Sequence, residues 1–330
     1  MRLFLVLSSI IIFTTCDNTL DLNAEFKDIP IVYGLLSASQ ENQFIRVERA
    51  FLDPELPADQ LAVMAEQIYY PSLNVELVKT STSESFLLRK VDGNEIGLPR
   101  AEGAFALDPN TLYTIGTAEM NLQPGQQYEL RIDRGENSEP VTAITTIIDT
   151  LIITQPTGRL NFDFNTNFRV RWFPRAQDEE TTPSVYDVSM VIHFEEVDKN
   201  DPDVEKIAKS LEWSLAQNIT DENEVMRLGD EFFNFLQNEL EVKPGIRRDF
   251  KGIDVVVDAG GEEILDYVRV GQANLGITAS QEIPFYSNLS EGRGIFSSRN
   301  RNVRSRLLLS APTQDRIQNS ELTRDLNFNF

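Results

Sequence analysis

Apolar residues fall on every second position in one short stretch after another of this 330-residue chain, and that repeat commits most of it to β-strand. Successive side chains of a strand point to opposite faces, so period-two patterning buries one face and wets the other. In 44–51, Phe44, Ile45 and Val47 are set against Arg46, Glu48 and Arg49. Val75 and Leu77 alternate with Glu76, and Tyr128, Leu130 and Ile132 alternate with Glu129, Arg131 and Asp133. Pro30 to Leu36, Phe86 to Val91 and Val141 to Ile148 complete a first set of strands, with Asp92-Gly93 and Pro124-Gly125 as turn pairs. Residues 57–69 break the pattern; Leu61, Val63, Met64, Ala65 and Ile68 there suit a short helix.

The second half repeats the theme. Leu151 to Thr154 opens it, then Phe162, Phe164, Phe168, Val170 and Trp172 run to the end of an alternating stretch. Val188, Met190, Ile192 and Phe194 share one parity of a strand over 185–197, and His193 lies on the other, where it is expected at the surface or half-buried. Asp201-Pro202 reads as a helix start, since Asp caps free amides and Pro suits the first turn. That predicts helix over 203–211, giving way to a strand through Trp213 and Leu215. Leu228, Phe232, Phe235, Leu236 and Leu240 form the apolar stripe of a helix over 228–240, which reads as packing on its own domain, with a partner for the aromatic stripe as the other reading. Phe250 to Val257 and Leu265 to Val270 read as strands. Residues 272–299, rich in Gly, Ser and Asn around Pro284, Phe285 and Tyr286, read as a long loop, and such loops are functional or disordered. The tail through Leu326, Phe328 and Phe330 reads as an ordinary strand or peptide. An outer-membrane barrel needs at least about eight strands of about ten residues with an apolar band, which this charge-dense chain does not supply.

The Pro-Gly turn followed by Tyr128, Leu130 and Ile132 resembles the last hairpins of transthyretin-like and immunoglobulin-like modules. The strand ending in Trp172, a polar loop and Tyr186 with Val188 resemble the front of a fibronectin type III-like sandwich. These resemblances imply a mainly β protein of two tandem β-sandwich domains, residues 28–149 and 150–330. The second would carry a helical insertion at about 201–241.

The start of the chain has another texture. Arg2 precedes an apolar run from Leu3 to Phe13, broken by Ser8 and Ser9, and Thr14-Thr15-Cys16 follows. This is the layout of a secretory signal peptide. The run is too short for a membrane-spanning helix, which takes about twenty residues. Cys16 is the only cysteine of the chain. With Phe13 and Thr15 where the usual motif has an aliphatic residue and a Gly, Ala or Ser, the segment resembles a bacterial lipoprotein signal of the loose kind familiar in the Bacteroidota. The resemblance implies a signal peptide over 1–15, lipid on Cys16, a tether over 16–27 and an address on the outer membrane. Cleavage without lipidation is the other reading of these residues. Lipid on Cys16 leaves no thiol in the mature chain, which excludes disulfides, thiolate catalysis and cysteine-zinc sites together. The layout, with the phrase from Tyr286 through Gly292, Arg293, Gly294, Ile295 and Phe296, resembles Bacteroidota outer-membrane lipoproteins built from tandem β-sandwiches, a family that brings no catalytic residues to carry over. Asp149-Thr150-Leu151 resembles a glycosylation site of exported proteins from that phylum.

The formal charge of −22 opposes nucleic-acid binding, which needs a basic footprint. One basic run stands out: Arg293, Arg299, Arg301, Arg304 and Arg306. It reads either as a dock for an acidic partner or anion, or as a strand face paired with the surplus carboxylates. His193 is the only histidine, and no Gly-x-Ser-x-Gly elbow accompanies it for a Ser-His-Asp triad. There is no phosphate loop and no dinucleotide fingerprint. Asp198, Asp201 and Asp203 cluster without the Gly and distal Glu of an EF-hand. No catalytic residue, metal or cofactor is nominated. The expectation is a non-catalytic accessory lipoprotein that binds an outer-membrane protein, with Phe285, Tyr286, Asn288, Arg293 and Arg299 as candidate contacts. The alternatives are a glycan-binding lipoprotein, in which Trp172, Trp213 or Tyr286 stacks on sugar rings, and a carbohydrate-active hydrolase using two of the 52 acidic residues.

Overall fold

The structure, a computed structural model, describes residues 28–51, 56–135, 138–162, 166–176, 178–201, 204–273 and 285–330. Cys16 and the whole leader and tether lie outside the described residues, as do Phe164, Asp203 and Pro284. The protein is mainly β, 46% strand and 17% helix, arranged in several sheets.

A hairpin of β1 (Pro30–Leu36) and β2 (Asn42–Arg49) comes first. Two short helices, α1 (Ala58–Ala62) and α2 (Ala65–Ile68), occupy the stretch where alternation breaks. Then come β3 (Asn74–Lys79), β4 (Glu84–Leu87), β5 (Arg89–Asp92), β6 (Thr111–Gly116), α3 (Thr117–Met120), β7 (Gln127–Asp133) and β8 (Val141–Thr146). The second half holds β9 (Leu151–Gln155), β10 (Asn167–Pro174), β11 (Val185–Asp198), β12 (Ile207–Ile219), β13 (Glu224–Leu228), α4 (Gly229–Glu239) and β14 (Ile246–Gly260). It ends with α5 (Glu262–Ala273), β15 (Arg293–Leu307), α6 (Ala311–Asn319) and β16 (Phe328–Asn329).

One sheet runs in the order β12-β11-β14-β15-β1-β2-β6-β5, with β16 beside β14; the others are β4-β3-β7-β8 and β13-β10-β9. The alternation seen in the sequence sorts cleanly onto two cores. Val32, Ile45, Val47, Val75, Leu77, Tyr128, Leu130 and Ile132 build the first. Trp172, Val188, Met190, Ile192, Phe194, Trp213, Val255 and Val257 belong to the second, with Phe232, Phe233 and Leu236 of α4 against them. Phe162 stacks on Phe232 with ring centroids 4.1 Å apart, fixing the helix to its own half.

Strand β15 belongs to both cores. Its first six residues pair in parallel with β1, Ile31 beside Arg293 through Leu36 beside Ser298. From Arg299 onward it pairs antiparallel with β14. Phe296, far along in the second half of the sequence, is therefore a buried member of the first core.

Three stretches depart from the expected elements. Residues 207–211, expected as helix, are strand, because β12 pairs with β11 from Ile207 beside Glu196 to Ile219 beside Tyr186. The capping signal of Asp201-Pro202 is local and gives way to that ladder; on this edge strand Trp213 and Leu215 are fully buried, and Leu211, Ala216 and Ile219 pack partly buried against the same core. Residues 265–270, expected as strand, are helix. A short apolar run does not separate the two states, and Glu262 and Glu263 in the first turn favour helix through the backbone dipole. Residues 293–299, expected as loop, are strand. Gly294 has φ +119°, and a Cβ there would lie 1.9 Å from the Val32 carbonyl oxygen, so the glycine marks a close approach of β15 to β1. The serines likewise serve buried pairing. Ser297 Oγ donates to Glu263 Oε2 at 2.6 Å, and Ser298 Oγ donates to the Thr146 carbonyl at 2.7 Å.

Candidate functional site

The candidate residues lie along the approach to β15 and on its outward face. Asn288 is structural. Its Nδ2 donates to the Phe296 carbonyl at 2.7 Å and its Oδ1 accepts from the Phe296 amide at 3.0 Å, so the side chain copies a neighbouring strand on β15. Ser290 does the same for β8: its amide donates to the Thr142 carbonyl and its Oγ accepts from the Thr142 amide, both at 2.8 Å. With residues 287–291 held this way, Phe285 projects at 55% exposure. The Arg293 guanidinium sits 4.4 Å from the Phe285 ring centroid, a cation–π contact that pre-positions both groups. Tyr286 is half-buried. Burial, then the negative charges of Asp266, Glu263 and Glu262 on α5, push its phenol up to about 12.

Two tyrosines missed in the sequence extend this corner. Register sets Arg293 beside Ile31 and Tyr33 beside Ile295 on the outer face of the shared sheet. Tyr33 is 44% exposed and Tyr267 of α5 is 41% exposed. The Tyr33 phenol titrates above its ordinary range because of burial, then the neighbouring Tyr267 and the charge of Glu48. Tyr33 carries no sequence signal, because Pro30 to Leu36 reads as a wholly buried strand and hides which face is outside.

The corner sits where the described chain begins. Arg134, only 4% exposed, pairs with Asp28 at 2.9 Å and with Glu291 at 2.6 Å. Tyr70 Oη donates to Asp28 Oδ1 at 2.7 Å. The residue closest to the expected tether is thereby clasped to the segment that presents Phe285 and Arg293.

Arg299 is elsewhere. It is six residues further along β15, about 20 Å at roughly 3.3 Å per residue. It lines a cleft of about 250 Å³ where α5 rides off the sheet. The five arginines of the basic run form no single patch. Arg301 pairs with Asp258 at 3.5 Å. Arg304 turns to the opposite face and donates to the Ile153 carbonyl at 3.2 Å. Arg306 is bound through its amide to Asp254 Oδ1 at 2.7 Å.

The remaining nominations resolve into structure. Trp172 is fully buried and Trp213 nearly so, stacked on Phe235, so neither offers a face to a sugar ring. Asp198 Oδ1 accepts from the Asn200 amide at 2.8 Å, a local turn bond. His193 makes a row not foreseen from the sequence: Nδ1 lies 3.1 Å from Ser210 Oγ on β12, and Nε2 lies 3.1 Å from Asp254 Oδ2 on β14. The residue types are those of a nucleophilic triad. The setting is an open sheet face, Ser210 is exposed, and the neighbouring amides serve the strand ladders instead of converging on an oxyanion. The row therefore stitches three strands.

Among the described residues, no three His, Cys, Asp or Glu side chains are grouped to hold a metal ion, and no helix is long and apolar enough to cross a membrane. No family model matches the sequence, and no curated protein matches it either.

Proposed function

We propose that the protein is an outer-membrane-anchored lipoprotein, lipidated at Cys16, whose two β-sandwich modules of immunoglobulin and fibronectin type are non-catalytic. It binds a membrane-protein partner through the corner of Phe285, Arg293, Tyr33 and Tyr267. The observation that supports this reading is the clasp of Asp28 to Glu291 through Arg134, which sets the exposed corner at the tethered end of the described chain. Eleven residues lie between Cys16 and Asp28, at most about 40 Å of extended chain. A lipid there keeps the corner within reach of anything embedded in the same membrane. Aromatic residues and arginine are the side chains enriched where interfaces concentrate their binding energy, and here they are exposed and already ordered against one another.

The test has two arms. Mass spectrometry of the mature protein should show a diacylated or triacylated Cys16 as its first residue. Cross-linking in membranes followed by gentle solubilisation should recover one integral membrane protein with the parent, and Phe285→Ala with Arg293→Glu should abolish its recovery while leaving lipidation and folding intact. An unmodified leader still attached sinks the anchor; undiminished recovery with the double variant sinks the docking corner.

A further inference from the structure

The cleft around Arg299 is separate from the corner just described and has the makings of a small-molecule site. Cross-strand pairing lines up Asp187 of β11, Asp258 of β14 and Arg301 of β15 in one row. Asn218 closes the row, its amide donating to Asp187 Oδ1 at 2.8 Å from a left-handed backbone conformation, φ 57°. In the next row Gly260 faces Arg299, and the absence of a side chain there lets α5 lie close. A Cβ on Gly260 would meet Ile264 and Val185, both at 3.0 Å. Ile264 and Val268 of α5 then form an apolar wall over the polar row.

The charges decide what such a cleft takes. Two carboxylates, Asp187 and Asp258, face two guanidinium groups, Arg299 and Arg301, so the formal charge of the lining is zero. The Arg301 guanidinium is committed to Asp258 at 3.5 Å, whereas the Arg299 guanidinium makes no hydrogen bond or ion pair with the described residues and keeps its donors for an incoming group. An anion drawn to Arg299 would meet Asp258, and a cation drawn to the carboxylates would meet the arginines. A neutral polyhydroxyl ring satisfies both sets. Carboxylates accept from hydroxyls, the guanidinium fork donates to them, and the C–H face of the ring lies on Ile264 and Val268. The volume of about 250 Å³ is below the roughly 300–1,000 Å³ of clefts that take drug-sized ligands, which suits one ring and not a chain of them. Asp258 fits this setting: burial raises its carboxyl above the ordinary range, Arg301 and Arg299 work against that rise, and Asp187 and Glu212 add to it. A hydroxyl donor to Asp258 relieves that burial without adding charge.

We propose that the cleft between α5 and the β11-β14-β15 face binds a single neutral monosaccharide ring, with Asp187, Asp258 and Arg299 as its hydrogen-bonding residues. The site works without an aromatic platform, unlike the glycan-binding alternative in which Trp172, Trp213 or Tyr286 stacks on sugar rings.

Saturation-transfer NMR on the full-length chain in detergent, with methyl α-D-glucopyranoside, methyl α-D-galactopyranoside, methyl α-D-mannopyranoside and N-acetyl-D-glucosamine as probes, tests it. Sodium acetate and L-lysine serve as charged competitors. The expected result is binding of at least one of the sugars. It should weaken about tenfold or more in Asp258→Asn and in Arg299→Ala, since each loses a charge-assisted hydrogen bond. Phe285→Ala should leave it unchanged. Both cleft substitutions are at the surface, and a parental circular dichroism spectrum keeps a folding defect from passing as lost binding; Asp187→Asn replaces either variant if it misfolds. Binding of none of the sugars overturns the proposal. So does sugar binding indifferent to all three substitutions, or stronger binding of acetate or L-lysine at the same residues.

Discussion

Arg248 is the most informative single perturbation of the second core. Its side chain is 1% exposed and that of Glu196 is 7% exposed. The guanidinium spends its donors on Glu196 Oε1 at 3.2 Å, the Leu326 carbonyl at 2.8 Å and the Glu241 carbonyl at 2.9 Å. It thus joins β11, the end of α4 and the C-terminal tail, and its own amide donates to the Asn327 carbonyl at 2.9 Å. Removing one member of a buried ion pair costs about 3–5 kcal/mol when the other charge is left alone. Glu196 is not left alone in Arg248→Met, because Lys209 stays 2.9 Å from its other oxygen. The expected loss is therefore at the lower end, about 3 kcal/mol. Glu196→Gln leaves the guanidinium with two carbonyls and costs about 2 kcal/mol. The double variant should fall short of the sum by about 1–2 kcal/mol, as groups in one network do. Urea unfolding followed by tryptophan fluorescence reads this core directly, because Trp172 and Trp213 both lie in it. Amide exchange at Phe328 and Asn329, which pair with β14 beside Arg248, should accelerate in Arg248→Met. The pH dependence carries its own sign. Burial opposes the charged form of Glu196, but Lys209, Arg248 and Lys243 outweigh it and hold the carboxyl below 4.5. A depressed folded value means stability that is present above the unfolded value and lost as pH falls through the folded one. The parent should lose stability on acidification below about pH 4.5, and Glu196→Gln should lose less. Stability of Arg248→Met within about 0.5 kcal/mol of the parent, with unchanged exchange at the tail, would refute the reasoning.

Four further outcomes follow from the geometry. Gly294→Ala places a methyl group on the Val32 carbonyl at positive φ; it should cost at least about 2 kcal/mol by urea titration and expose the β1–β15 amides to exchange. Trp172→Ala empties the centre of the second core and should cost about 3–5 kcal/mol, with the loss seen in thermal unfolding. Asp258 has a raised folded value, so its contribution to stability is held at acid pH and lost as pH rises through that value; Asp258→Asn should raise Tm at neutral pH, with the gain vanishing near about pH 3. Ser210→Ala and His193→Ala should leave hydrolysis of p-nitrophenyl acetate at the level of the parent, and a loss of turnover in both would reinstate the Ser210–His193–Asp254 row as a nucleophilic site.

The local sequence determined which stretches are strands wherever alternation was long and clean, and which face of each enters a core. The parity of Val188, Met190, Ile192 and Phe194 held, His193 came out half-exposed opposite them, and the stripe of Phe232 and Leu236 packed on its own half. Alternation is a local consequence of the pleat, so it survives whatever the rest of the chain does. Which strands lie side by side has no such local record. That β15 completes the core around Val32 before it turns to β14 depends on pairing with β1 across more than 250 residues, and its glycines and serines imitate a loop because their roles are visible only against β1, β8 and α5. The site shows the same division. Exposed Phe285 and Arg293 were legible as a texture, whereas the partners Tyr33 and Tyr267, the structural task of Asn288, and the row that joins Arg299 to Asp258 and Asp187 were decided by strand register. A cavity is made of residues distant in the chain, and only tertiary pairing brings their charges to one place.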